Sequence, residues 1–309
     1  MGRSARPFHA CCILAVLLAS CGGGERRRVA AAAPVSLGAE CIAYADGPLH
    51  GIAADEDGTI YVGKMGTSIA RLAPNGSMED FVDLWQAGGN FSDTYIYDLD
   101  FGPDGNLYAA ARDSVLRIGR DRTVTVLIRG AFAGRYGACG IEVDANGDLY
   151  VSSANVIARF APDLSRRVFL DGGEVPAVGD ATILGMELDA ERRTLYFCAK
   201  ERGRIYACPI GRDGRAGRPA VIFEDSEYGS EYIALRGGTL VAKDVGPRYF
   251  YAIGRKIATR VDVDNVQQKY NGIETIAFGR TAGDRNVLYG TAYDSGSLYR
   301  IPFGSLVEP

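Results

Sequence analysis

The chain has 309 residues, of which 47% are hydrophobic and 23% are charged, and its formal net charge is −4. This is the composition of an ordinary globular protein with enough chain to bury a large core. Because there is no basic excess, the composition does not indicate a nucleic-acid partner.

The N-terminus has the pattern of an export signal. Arg3 and Arg6 precede an apolar run, residues 11–19, that is too short to span a membrane. The run ends in Leu18-Ala19-Ser20-Cys21, which resembles the bacterial lipobox, whose cysteine is lipidated and becomes the first residue. The alternative is an ordinary secretory signal that happens to be followed by a cysteine. We predict a lipoprotein signal peptide over residues 1–20 and lipidation at Cys21.

The stretch after Cys21 is predicted to be a flexible tether over residues 21–40. It has glycines at 22, 23 and 24 and then an Arg- and Ala-rich segment. Gly22 directly after the cysteine resembles lipoproteins that are sorted to an outer membrane. The sequence therefore predicts an exported bacterial lipoprotein of the cell envelope, held at the outer membrane by its N-terminal lipid. Whether it faces the periplasm or the exterior stays open.

Export determines how the remaining cysteines are interpreted. Cys41, Cys139, Cys198 and Cys208 lie in the exported part, where disulfides form and where four cysteines allow three pairings. Cys198 and Cys208 flank a predicted hairpin turn near Gly203, so we predict a disulfide between them. Metal binding by cysteines is less favoured, because the sequence has no Cys-x-x-Cys pair.

One hairpin recurs along the chain from His50 onward. Its second strand begins with an apolar pair, usually ending in tyrosine, and the pairs are Ile60-Tyr61, Leu107-Tyr108, Leu149-Tyr150, Leu195-Tyr196, Leu240-Val241 and Leu288-Tyr289. An Asp-Gly or Asn-Gly turn precedes several of them, and these dipeptides favour tight hairpins. A third strand follows each pair and a fourth often follows that. The repeated tyrosine is predicted to pack in the core.

Six repeats of four short strands predict an all-β fold, a six-bladed β-propeller of four-stranded antiparallel blades over residues 41–309. A single blade exposes two apolar faces, and stacking around a ring buries them. We expect residues 41–45 to close the ring as the outer strand of the last blade. A monomer is expected.

Short motifs connect these blades to known families. Pro48-x-x-Gly51-Ile52-Ala53, followed by Asp-Gly and Ile-Tyr-Val, resembles NHL-type repeats. Phe278-Gly279, residues 288–291 and residues 296–300 resemble the closing blade of the SMP-30/gluconolactonase/strictosidine-synthase-like superfamily. That resemblance implies a propeller with calcium ligands near the start of the innermost strands, and relatives that hydrolyse lactones and phosphotriesters.

The positions of those ligands can be located by register, two residues before the Ile52-type position of each repeat. They are occupied by His50, Tyr97, Cys139, Leu184, Glu231 and Glu274. Cys139 and Leu184 stand where the family would place asparagines, so the family's calcium site is not expected to be retained.

Glu231, Glu274 and His50 fall in successive blades around the closed ring. They are therefore predicted to converge on one side of the tunnel mouth, where two close carboxylates perturb each other's pKa values. Three interpretations stay open: a small site for a divalent metal such as calcium, a carboxylate–histidine acid/base pair, or a solvated polar tunnel. In a metal-dependent hydrolase of lactones or esters, these residues would be both ligands and catalytic groups.

The loops leading into the innermost strands are long and aromatic. Loops with aromatic residues beside acids and amides are common recognition surfaces, although the aromatic residues can equally pack the loops onto the ring. The predicted ligand-binding residues are Trp85, Tyr95, Tyr97, Arg135, Tyr136, Tyr228 and Tyr270. The leading prediction is thus an envelope-anchored module that binds a small molecule or an envelope protein, related to lactonase-like propellers but catalytically degenerate. The metal-dependent hydrolase is the alternative.

Overall fold

The computed structural model describes residues 30–64, 68–73, 76–84, 95–132, 134–224, 229–244, 249–254, 257–266 and 272–307. Within these ranges no helix is long and apolar enough to cross a membrane. Three single-turn 3₁₀ helices occur, at Gly172–Glu174, Lys200–Arg202 and Gly304–Leu306.

All other regular structure in the described ranges is β-strand. In chain order the strands are β1 (Ala30–Ala31), β2 (Val35–Gly38), β3 (Glu40–Tyr44), β4 (Leu49–Ala54), β5 (Ile60–Lys64), β6 (Ser68–Leu72), β7 (Met78–Asp83), β8 (Ile96–Phe101), β9 (Leu107–Ala111), β10 (Ser114–Ile118), β11 (Val124–Arg129), β12 (Ala138–Val143), β13 (Leu149–Ser153), β14 (Val156–Phe160), β15 (Arg166–Asp171), β16 (Ile183–Asp189), β17 (Thr194–Ala199), β18 (Arg204–Pro209), β19 (Ala220–Glu224), β20 (Ser230–Arg236), β21 (Thr239–Asp244), β22 (Tyr249–Ile253), β23 (Ile257–Asp264), β24 (Thr275–Phe278), β25 (Val287–Ala292) and β26 (Ser297–Pro302).

These strands form the predicted six-bladed β-propeller. Each run of four strands from β4 to β23 is one antiparallel blade, giving blades 1 to 5, and β24, β25, β26 and β3 make blade 6. The first strand of each blade is innermost, and each innermost strand contacts the next around the ring, including β24 with β4. The ring closes as predicted, because β3 pairs antiparallel with β26.

The chain ahead of β3 differs from the prediction in part. We predicted a flexible tether over residues 21–40, but β1 and β2 pair parallel with β23, the outer strand of blade 5. The segment from Ala30 to Gly38 thus extends blade 5 rather than leading freely to the ring. Residues 1–29, including Cys21 and the signal peptide, lie outside the described residues.

Aspartates organise the tight turns between the first and second strands of the blades. In blade 1, Asp55 Oδ1 accepts hydrogen bonds from the backbone N–H groups of Asp57 and Thr59, at 2.9 and 2.8 Å. In blade 3, Asp144 Oδ1 accepts the equivalent bonds from Asn146 and Asp148. The side chain stands in for a backbone acceptor, which is why Asp opens these turns.

The core is divided among the interfaces between blades, because each sheet buries both faces against its neighbours. A separate cluster of buried apolar residues fills each of the six interfaces, with Ile69 packing toward blade 2 and Leu298 toward blade 1 as examples. The repeated tyrosines belong to these clusters as predicted: Tyr61, Tyr108, Tyr150 and Tyr289 are buried.

The predicted Cys198–Cys208 disulfide is wrong. Cys198 lies opposite Ile205 and Cys208 lies opposite Leu195, so the two cysteines are three residues out of register on β17 and β18. An odd offset also turns their side chains to opposite faces of the blade, where Cys198 packs toward blade 5 and Cys208 toward blade 3. All four described cysteines are free thiols.

Candidate functional site

The site is built where the innermost strands begin, at the face of the ring that we call the top face. In blades 1 to 5 the innermost strand carries a register shift close to its start, for example between His50 and Ile52 in β4 and between Ser230 and Tyr232 in β20. A β-bulge re-aims side chains and is common beside functional sites.

His50 is 8% exposed and both of its ring nitrogens are engaged. Nδ1 lies 3.0 Å from the carbonyl oxygen of Tyr97, which can only accept, so Nδ1 carries the proton and donates. Nε2 lies 3.2 Å from the hydroxyl of Tyr232 and is therefore the acceptor of that hydroxyl's proton. The geometry selects the neutral Nδ1–H tautomer.

The pKa values agree with a neutral pair. Burial lowers the pKa of His50 to about 4, even though its bond to the Tyr97 carbonyl acts in the opposite direction. Burial also raises the pKa of Tyr232 well above its usual value, so the phenol stays protonated and donates. At neutral pH, His50 is uncharged and its basic nitrogen is already occupied.

The three residues predicted as a metal or acid/base set are brought together only in part. Glu274 Oε2 is 3.7 Å from His50 Nε2, beyond a hydrogen bond. Glu231 is instead ion-paired with Lys200, whose side chain comes from the turn after β17. Among the described residues, no group of three or more His, Cys, Asp or Glu side chains is arranged to hold a metal ion.

A cavity of about 360 Å³ opens at the tunnel mouth beside these residues. Its lining combines aromatic, basic and acidic side chains, namely His50, Tyr95, Tyr97, Arg112, Arg135, Tyr136, Glu274 and Tyr293. Tyr95 and Tyr97 stack at 5.6 Å between ring centroids, and the hydroxyls of Tyr95 and Tyr293 are 2.9 Å apart. The tyrosines thus form a connected aromatic wall.

Positive charge accompanies that wall. Arg135 lies over the ring of Tyr136 at 5.5 Å, and Lys200 Nζ lies over the same ring at 5.6 Å. Within the part of the chain that the structure describes, neither Arg112 nor Arg135 forms an ion pair with a carboxylate. With His50 neutral, the charged groups of the lining are two arginines and one glutamate.

Four partly buried carboxyl groups lie farther along the innermost strands. Asp98 and Asp100 of β8 accept backbone N–H bonds from Ile141 and Val143 of the next blade, at 3.0 and 2.9 Å. Glu142 accepts a bond from Leu188 N in the same way, and burial also raises the pKa of Glu142 and Glu187. Burial raises the pKa of Asp98 to about 8. Asp98, Asp100 and Glu142 thus join adjacent blades.

Many of the predicted site residues line this cavity. Tyr95, Tyr97, Arg135 and Tyr136 line the cavity with His50 and Glu274, whereas Trp85, Tyr228 and Tyr270 lie outside the described residues. Cys139 and Leu184 occupy the predicted register but are buried.

Four residues were missed by the sequence analysis: Arg112, Tyr232, Lys200 and Tyr293. Three of them, Arg112, Lys200 and Tyr293, come directly after the second strand of their blade, at turns that reach the top face. That shared position was the signal in the sequence, but only the loops leading into the innermost strands were considered.

The state of His50 can be measured directly. The chain has two histidines, His9 in the predicted signal and His50, so the exported chain gives a single imidazole spectrum. We expect ¹⁵N shifts of the Nδ1–H tautomer and no titration between about pH 8 and about pH 5, because burial holds the pKa near 4. A midpoint near the ordinary value of about 6.5 would contradict this geometry.

Tyr232→Phe is expected to cost about 1 kcal/mol of stability in urea unfolding, because it leaves Nε2 of His50 without a hydrogen-bond donor.

Comparisons with known proteins were made by sequence and by structure. No family model and no curated protein sequence matches the chain. Among solved structures, a gluconolactonase from Xanthomonas campestris has a TM-score of 0.67 at 14% identity, covering 85% of this chain and 89% of its own. A streptogramin B lyase has a TM-score of 0.60 at 13% identity, covering 85% and 96%.

A third similar structure is an auxiliary nutrient binding protein from Bacteroides thetaiotaomicron. Its TM-score is 0.63 at 10% identity, with 82% of this chain and 69% of that chain covered. Enzymes and a binding protein therefore share this fold, so the fold does not decide the activity. At these identities the similarity shows the fold alone, a six-bladed β-propeller.

Proposed function

We propose that the protein is an envelope-anchored binding module whose top-face cavity takes a small molecule with a six-membered ring and a carboxylate. The observation that carries this proposal is the composition of the lining. Tyrosines offer flat faces and hydroxyls, and Arg112 and Arg135 stand at the mouth without a described carboxylate partner. Guanidinium groups bind carboxylates in a bidentate, charge-assisted manner.

The remaining groups favour a hydroxylated ring. The hydroxyls of Tyr95 and Tyr293 and the carboxylate of Glu274 are hydrogen-bonding groups on the same wall. Stacking on tyrosine would orient the ring, and the arginines would hold its acid group. The lining charge of two arginines against one glutamate selects against cations and supports an anion.

The rival proposal is a metal-dependent hydrolase of lactones or related esters. It needs His50, Glu231 and Glu274 to share a metal, but Glu231 is paired with Lys200 and both nitrogens of His50 are hydrogen-bonded. The donor set does not fit a metal ion, so we derive no hydrolytic step from it. Anchoring by a lipid at Cys21 in the outer membrane belongs to the proposal and rests on the sequence alone.

A thermal-shift screen tests the ligand class. The probes are D-glucuronate, D-galacturonate and 4-hydroxybenzoate, each beside its neutral counterpart D-glucose, D-galactose or 4-hydroxybenzyl alcohol. We expect at least one acid to raise the melting temperature while its neutral counterpart does not. The double variant Arg112→Ala/Arg135→Ala is expected to weaken binding about 100-fold, at roughly 1.5 kcal/mol per charged hydrogen-bond partner.

The control is Arg212→Ala/Arg215→Ala, which removes the same charge on a turn at the opposite face and is expected to leave affinity unchanged. The proposal fails if no acid binds better than its neutral counterpart. It also fails if both double variants weaken binding equally, since the loss would then come from the change in net charge and not from the arginines of the cavity.

A further inference from the structure

The direction of the N-terminal strands shows at which face the preceding chain leaves the ring. Innermost strands start at the top face, and successive antiparallel strands alternate, so the fourth strand of a blade starts at the opposite face, which we call the bottom face. β1 is parallel to β23, with Ala30 opposite Ile257, the first residue of β23. Ala30 therefore lies at the bottom face, and residue 29 connects from there.

The length of chain between Cys21 and Ala30 limits where a lipid could lie. Ala30 is nine positions after Cys21, and nine Cα-to-Cα steps span at most about 30 Å when fully extended. The eight residues of β23 alone extend about 26 Å from the bottom face toward the top face. A lipid on Cys21 would need nearly the full extension to reach the top face, so the bottom face is the one held near a membrane.

The charge of the bottom face is uneven. On the side of blades 4 and 6, which flank the attachment point in blade 5, its turns carry exposed arginines: Arg192, Arg193, Arg212, Arg215, Arg218 and Arg285. On the side of blades 1 to 3, the corresponding turns are close to balanced in charge. Their exposed acids are Glu56, Asp57, Asp104, Asp121 and Asp163, and their exposed arginines are Arg120, Arg122, Arg166 and Arg167. The basic half is thus adjacent to the point where the chain leaves.

Some of these arginines are held in place. The guanidinium of Arg193 donates to the backbone carbonyls of Ile210 and Gly211, which fixes the two bottom turns of blade 4 against each other. Arg215 is 3.6 Å from Asp213, a pair that is exposed on both sides. Exposed pairs of this kind are weak and leave the arginine able to meet another anion.

We propose that this basic half of the bottom face rests on an anionic lipid surface, so that the propeller presents its cavity away from the membrane. The orientation rests on the lipid anchoring contained in the proposed function, whereas the affinity of the basic face for anionic lipid does not. Arginines near an anionic bilayer each add favourable electrostatic energy that salt screens.

The test uses the chain from residue 21 onward with Cys21→Ser, which keeps every described residue and carries no lipid. The probes are vesicles of phosphatidylcholine alone and vesicles in which about a third is phosphatidylglycerol. We expect binding to the anionic vesicles only, weakened by salt. The bottom variant Arg212→Glu/Arg215→Glu is expected to weaken it at least about tenfold.

The matched control is Arg129→Glu/Arg202→Glu, which changes net charge equally at exposed residues of the top face. It is expected to change vesicle binding less than about twofold. Equal losses in the two variants, or no preference for anionic vesicles, would overturn the proposal. Titration of the acidic ligand into the same proteins separates the two proposals. If no acid binds, the proposed function fails, but the vesicle result is unaffected.

Discussion

Replacing Gly137 with alanine is expected to destabilise the protein by at least about 3 kcal/mol. Gly137 has a φ of +68°, and a Cβ atom there would lie 1.7 Å from the carbonyl oxygen of Arg112. That oxygen also accepts the backbone N–H of Ala138 at 2.8 Å. The main chain must therefore move at the point that positions Arg112 and Tyr136, and ligand binding should fall together with stability. Urea unfolding measures the first effect and calorimetry the second.

Gly130 provides the matched control in the loop that leads to the same strand. Its φ is +66°, nearly that of Gly137, but nothing lies within 4 Å of a Cβ atom built there. Gly130→Ala thus carries the backbone strain without the collision and is expected to cost about 1 kcal/mol. A similar loss for both variants would show that strain alone acts and that the contact with Arg112 is unimportant.

Asp98→Asn is expected to flatten the dependence of stability on pH. Burial raises the pKa of Asp98 to about 8, whereas an unfolded aspartate titrates near 3.8. The folded protein therefore holds this proton more tightly. Its contribution to stability is full below about pH 4 and is lost as pH rises through about 8. The slope from one such group is at most about 1.4 kcal/mol per pH unit.

Urea unfolding of the native chain and of Asp98→Asn at two pH values measures this effect. We expect the native chain to be more stable to urea at about pH 5 than at about pH 8.5, because the pKa values of Asp100, Glu142 and Glu187 are also raised. Asp98→Asn should be the more stable protein at about pH 8.5. At about pH 5 it should lose roughly 1 kcal/mol, since its amide nitrogen cannot accept from Leu99 N.

The control for this experiment is Asp163→Asn. Asp163 lies on an exposed turn, and its hydrogen bond from Ser165 lowers its pKa, the opposite direction to Asp98. This substitution should leave the steep decline with rising pH in place. If native stability is unchanged or rises from about pH 5 to about pH 8.5, the raised pKa values of these carboxyl groups do not control the pH dependence of stability.

The fold was predictable because the repeat is simple. Apolar pairs such as Leu107-Tyr108 fill the interfaces between blades, and turns opened by Asp55 or Asp144 fix the hairpins, so local pattern and global packing agree. The register of the site was also predictable, since every blade starts its innermost strand in the same way. The position of His50 followed from that alone.

The partners of each site residue were not predictable. Glu231 is paired with Lys200, which lies in a different blade, and His50 is bonded to Tyr232, the residue after Glu231. Such contacts depend on how neighbouring blades are rotated relative to each other, and the spacing of residues along the sequence does not reveal that rotation. The Cys198–Cys208 error has a related cause, because the Lys200–Arg202 turn sets a register that moves the two cysteines apart.

We propose that the tunnel mouth binds an acidic ring without a metal ion. Calorimetric titration of the acid that shifts the melting temperature most, in the presence of a chelator, tests it most directly. We expect Arg112→Ala/Arg135→Ala to weaken binding about 100-fold. We expect Glu231→Gln/Glu274→Gln to keep the affinity within about tenfold, since only Glu274 of this pair lines the cavity. Binding that appears only when calcium, zinc or manganese is added, and that Glu231→Gln/Glu274→Gln loses, would contradict the proposed binding site and support the metal-dependent hydrolase.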